Sequence, residues 1–137
     1  MKTILLNVNG VLNALLCILH MSFWQLFDWE HQLSGLAREN RAILEILNIV
    51  SIWIILYFTI ICFWFAKRAQ FTMGEKSILI LMAGFYLIRL VTGYPYFGFD
   101  ITELIVWIVC ALIITGCLIP VFAGSTSEQK AITIKKH

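Results

Sequence analysis

Eight side chains could do chemistry in an otherwise oily sequence: His20, Trp24, Glu45, Asn48, Tyr86, Arg89, Glu103 and Trp107. Each sits within or at the end of a long apolar run, where a polar group is costly unless it faces another helix or reaches an interface. An imidazole, two carboxylates, an amide and a guanidinium walled by aromatic rings would suit an amphipathic molecule, its head held by polar groups and its body by rings. Tyr94 and Tyr96 extend the same aromatic wall. Proton transfer is the competing chemistry, because His20, Glu45 and Glu103 can each carry a proton. The remaining polar residues of the runs, Asn13, Thr59, Cys62, Thr115 and Cys117, do not continue such a chain. A half-path fits a binding pocket better than a transporter.

Other chemistries lack their parts. A haem between helices needs two axial ligands, and only His20 lies in an apolar run, His31 and His137 being in polar segments. No H-E-x-x-H is present, and Ser22, two residues from His20, lies on another helix face. Cys17, Cys62, Cys110 and Cys117 form no CxxC pair and read as small buried hydrophobes rather than zinc ligands or disulfides. The expectation is no cofactor, no metal and no catalytic residue, and the reading leans against an enzyme.

These side chains need long helices to hold them. Of the 137 residues 61% are apolar and 13% charged, against about 25% charged in soluble domains. The mean hydropathy is +0.88. A net charge of +2 without basic runs interleaved with aromatics gives no support to a nucleic-acid surface. The composition points to an all-α polytopic membrane protein, an antiparallel four-helix transmembrane bundle over residues 1–123. The expected spans are about 4–26, 41–66, 73–92 and 101–123, followed by a polar, disordered cytoplasmic tail over 124–137.

Local signals set the boundaries. The first run follows Lys2 like a signal peptide, but Asn7, Asn9 and Asn13 and the absence of an A-x-A site make it a retained helix. Phe27, Trp29, Leu33 and Leu36 alternate with polar residues, as in a segment lying in the interface. Asn40 is the expected N-cap of the second span, and Thr72 to Glu75 and Asp100 to Glu103 have the capping-box pattern. Gly93 and Pro95 mark the end of the third span.

Steps of three and four place Asn9, Asn13, Cys17, His20 and Trp24 on one face of the first span. The same spacing aligns Arg41, Glu45, Asn48, Thr59 and Cys62 on the second, and Glu103, Trp107, Cys110 and Cys117 on the fourth. His20, Glu45, Asn48, Arg89 and Glu103 would then converge at one level, with Glu45 paired to Arg89. Lys2, Lys67, Arg68, Lys76, Lys130, Lys135 and Lys136 fall on the opposite side from Arg38 and Arg41, so both termini are expected in the cytoplasm and the protein in the plasma membrane.

His20, Phe23, Trp24, Phe27, Asp28 and Trp29, followed by Asn40, Arg41 and Asn48 at the second span, resemble the small four-helix membrane proteins grouped as DoxX-like. The resemblance implies a small multi-pass protein of the kind linked in some relatives to quinol oxidation or membrane redox complexes. The combined expectation is a pocket for a lipid or quinone, or a redox-associated accessory subunit. The alternative is a structural or assembly subunit without its own ligand. Expected partners are membrane lipids, a quinone or lipid-like ligand, and a homo-oligomer or larger membrane complex, with no nucleic acid.

Overall fold

The computed structural model describes residues 1–98 and 100–134; at 94, 96, 97 and 124–134 it describes the backbone only. Six helices account for nearly all of it: α1 (Lys2–Met21), α2 (Phe23–Leu26), α3 (Trp29–Gln32), α4 (Arg38–Ala66), α5 (Met73–Phe97) and α6 (Ile101–Ile134). Four stretches, Lys2–Met21, Arg38–Ala66, Met73–Gly93 and Ile101–Ala123, are long and apolar enough to cross a membrane. The shortest, at 20 residues, reaches about 30 Å at 1.5 Å per residue, the thickness of a hydrocarbon core.

Several boundaries differ from expectation for identifiable reasons. The first helix ends at Met21, and after Ser22, whose hydroxyl donates to the Ile18 carbonyl at 2.9 Å, Phe23–Leu26 forms a separate turn. Asp28 then takes a left-handed conformation at φ 45°, redirecting the chain into α3. Helix α4 opens at Arg38 after Ala37, so Asn40 is not its cap. Helix α5 runs through Gly93 and Pro95 to Phe97. Pro95 lies in the last turn and has no N–H for the Val91 carbonyl. The capping box at Thr72 forms as expected, with the Thr72 N–H donating to the Glu75 carboxylate at 2.8 Å and the Glu75 N–H to Thr72 Oγ1 at 3.3 Å. The backbone of α6 stays helical to Ile134; the expectation for the tail at 135–137 and for the side chains of 124–134 lies outside the described residues.

The helices pack as two hairpin-like pairs, α1 with α4 and α5 with α6, joined by contact of α1 with α6. Contacts between α1 and α4 run in register from end to end. Lys2 Nζ caps the Arg68 and Ala69 carbonyls at 2.6 Å, Gly10 lies against Phe63, Cys17 approaches the Ile52 carbonyl, and Asn48 reaches the His20 carbonyl. Helices α4 and α5 meet differently. Phe58 touches Phe85 and Tyr86 at ring distances of 5.5 and 6.2 Å, while the two backbones stay apart.

The core holds Leu6, Phe58, Phe65, Leu79, Met82 and Ile113, together with Cys62, Cys110 and Cys117. Three polar side chains lie in it, and their bonds tie α1 to α5 and α6. Asn9 Nδ2 donates to the Ile113 carbonyl at 3.0 Å and to Cys117 Sγ at 3.3 Å. Asn13 Nδ2 donates to the Asn9 carbonyl, and the Tyr86 hydroxyl donates to Asn13 Oδ1. Close approach at this crossing requires Gly116, because a Cβ there would overlap the Asn9 carboxamide. Pro120, one turn further on, has no N–H for the Gly116 carbonyl.

Only 28% to 33% of each hydrophobic stretch is buried, so most of its apolar surface faces outward. Water would not tolerate such a surface on a monomer.

Gly116→Ala is expected to destabilise the fold by about 1–3 kcal/mol through overpacking against Asn9, measured by denaturant titration in detergent. Gly84→Ala, where an added Cβ meets nothing within 4 Å, is the control and should be neutral or slightly stabilising.

Candidate functional site

The polar residues near the His20 end of the spans fall into two linked groups. On α5 and α6, Arg89 makes a two-pronged ion pair with Glu103, Nη1 to Oε1 at 2.8 Å and Nη2 to Oε2 at 3.1 Å. Trp107 Nε1 donates to the same Oε1 at 3.1 Å. The Glu103 side chain is 9% exposed and that of Arg89 36%. Gly93 makes room for the pair, since a Cβ there would overlap both charged groups.

On α1 and α4, Asn48 Nδ2 donates to the His20 carbonyl at 3.0 Å. His20 Nδ1 lies 2.9 Å from the Leu16 carbonyl, which can only accept, so this nitrogen carries the proton. In the neutral ring Nε2 is then an acceptor, and it has no hydrogen-bond partner among the described residues. The imidazole stacks on Phe23 at 4.6 Å and lies within electrostatic reach of Arg89. His20 and Arg89 are thus the members of the two groups within electrostatic reach of each other.

The remaining expected residues are placed as follows. Glu45 does not pair with Arg89. It is held by Arg41 at 2.9 Å on its own helix, both side chains about a third exposed. An arginine one turn away on the same helix reaches it with no rearrangement, and Arg89 is already engaged. Glu103 likewise departs from its capping role, its two oxygens turned to Arg89 and Trp107. Tyr86 is buried one turn deeper, bonded to Asn13, and belongs to the core rather than to a pocket wall. Trp24 is half-buried against Trp29, with ring centres 5.1 Å apart. The side chains of Tyr94 and Tyr96 lie outside the described residues.

Two positions escaped the sequence reading, Gly93 and Gly116. Each is a small residue exactly where a charged or amide side chain of another helix needs space, and the signal available was a glycine one turn beyond Arg89. All four cysteines are free and buried, and all lie within electrostatic reach of Tyr86. Among the described residues no three His, Cys, Asp or Glu side chains converge as metal ligands.

No protein-family model, curated protein or solved structure matches the chain.

Removing one member of the ion pair should cost more than removing both. Arg89→Met leaves the Glu103 carboxylate without its cation and with only the Trp107 N–H of its present partners, and is expected to cost about 3 kcal/mol. The Arg89→Met/Glu103→Gln double variant should cost at least 1 kcal/mol less than the sum of the single changes, a coupling read from unfolding in detergent.

Proposed function

We propose that the chain is an antiparallel four-helix bundle of the plasma membrane, both termini cytoplasmic, whose outer end binds a small amphipathic molecule, a quinone, a quinol or a lipid. The orientation rests on the lysines and arginines at the Lys2 end. The antiparallel arrangement is supported by the register of α1 against α4.

What supports the binding reading is a hydrogen-bond acceptor, His20 Nε2, within electrostatic reach of the Arg89 guanidinium, whose side chain is 36% exposed. A quinol or a lipid alcohol offers a hydroxyl to the imidazole, and a quinone carbonyl or a phosphate oxygen accepts from the guanidinium. Glu103 fixes the arginine in place and Asn48 fixes the end of α1. The seam between α4 and α5, where rings rather than backbones meet, gives a ligand its route from the surrounding lipid. The DoxX-like resemblance, carried by His20 through Trp29, points to the same redox-associated setting.

A second reading, an assembly subunit without a ligand, draws on a different observation. Among the described residues every fully buried side-chain nitrogen or oxygen already has an internal partner, as expected if the polar stripes only fasten helices together.

Thermal unfolding of the purified protein separates the two. A short-chain quinol, or a phospholipid above its half-saturating concentration, should raise the stability of the wild type, by about 2.7 kcal/mol at a hundredfold excess over Kd. His20→Phe, which keeps the ring stack on Phe23, should abolish that gain. No shift with either compound and no copurifying lipid or quinone would overturn the binding reading, and a stoichiometric partner crosslinked in native membranes would support the second.

A further inference from the structure

Helix α4 carries a feature that neither reading uses. Its face turned away from the other helices presents Ile46, Val50, Trp53, Tyr57, Ile60 and Trp64 at alternating steps of three and four. Trp53 is 68% exposed and Tyr57 50% exposed. Tyr57 lies nine residues inside the end of α4 at Ala66, about 14 Å at 1.5 Å per residue, and Trp53 lies near the middle of the helix.

Neither the Trp53 indole N–H nor the Tyr57 hydroxyl has a hydrogen-bond partner among the described residues. Elsewhere on the outward face of the spans, among the described residues, the exposed hydroxyls and amides bond within their own helices or lie near helix ends. Ser51, Ser77, Thr92 and Thr115 bond to carbonyls of their own helices. Asn7 and Thr102 lie near helix ends, where water is close. The exposed faces of α1, α5 and α6 are mainly aliphatic. A hydroxyl left unpaired in hydrocarbon carries a desolvation penalty of several kcal/mol, so a neighbour that satisfies it is strongly favoured.

We propose that this α4 face is the interface with a second copy of the same chain, its α4 packed alongside in parallel about a two-fold axis normal to the membrane. The chemistry favours a second copy because the face is self-complementary. Trp53 can only donate and Tyr57 can both donate and accept. In a parallel pair with this heptad spacing, Trp53 of one helix enters the space bounded by Val50, Trp53 and Tyr57 of the other, placing its N–H beside the second copy's phenol oxygen. The two-fold axis repeats that bond. The interface lies on the face of α4 opposite α1, leaving the His20 and Arg89 end open. The proposal rests on membrane insertion of α4 but not on the ligand.

Cysteine crosslinking of the full chain in native membranes tests it. Val50→Cys and Ile60→Cys lie on the face and leave Trp53 and Tyr57 intact; Val11→Cys and Ile88→Cys lie on exposed faces of α1 and α5. Brief oxidation should give a band at twice the 15.7 kDa chain mass for the first two only. Adding Tyr57→Phe should raise the dimer dissociation constant about tenfold, read as lost crosslinking on dilution into lipid. Equal crosslinking on every face, none at Val50 or Ile60 in a chain that resists alkaline carbonate, or capture of a different protein at Ile60 would each overturn the proposal. Release of the chain by carbonate would instead overturn the membrane reading beneath it.

Discussion

The Asn9, Asn13 and Tyr86 network is the constraint around which the rest of the structure is arranged. Apolar contact alone cannot specify the packing of helices as oily as these, because one aliphatic neighbour is as good as another. Amides and a phenol differ, since each must find a donor or an acceptor on another helix. Asn9 selects the Ile113 carbonyl and Cys117 on α6, and Asn13 receives the Tyr86 hydroxyl from α5. Those bonds fix the rotation and height of three helices. The glycine at 116 lets the backbones come close enough to make them.

With that core in place, the end of the bundle near His20 follows from it. Tyr86 is held against Asn13, so Arg89 one turn later must point toward α6, where Glu103 and Trp107 receive it. Helix α1 continues from Asn13 through Cys17 to His20 on one face, which brings the imidazole to the same region. The buried network and the proposed binding residues are thus consecutive turns of the same helices. A disturbance at the first is felt at the second.

Much of this was legible in the residues, and what was not has a physical cause. The inward face of α1 could be read from spacing, and Asn9, Asn13 and Cys17 are buried to 1%, 0% and 7% exposure. The Thr72 capping box could be read because it is local, every partner lying within three residues. Pairing across helices was harder. Periodicity gives the side a residue faces but neither the tilt of its helix nor which charge arrives first. Glu45 was assigned to Arg89, yet Arg41 was one turn away and Glu103 met Arg89 across a short connection. The Asp100 to Glu103 pattern misled for the same reason, a capping motif being a local preference that a tertiary ion pair outcompetes.

The reach of Asn9 to Ile113 spans 104 positions of sequence. Translation delivers α1 first and α6 last among the four long helices, so the earliest one leaves the ribosome carrying carboxamides whose mates do not yet exist. Those groups must be sheltered, or bonded temporarily, until α6 has been made. The fold of α1 is in this sense completed only by α6.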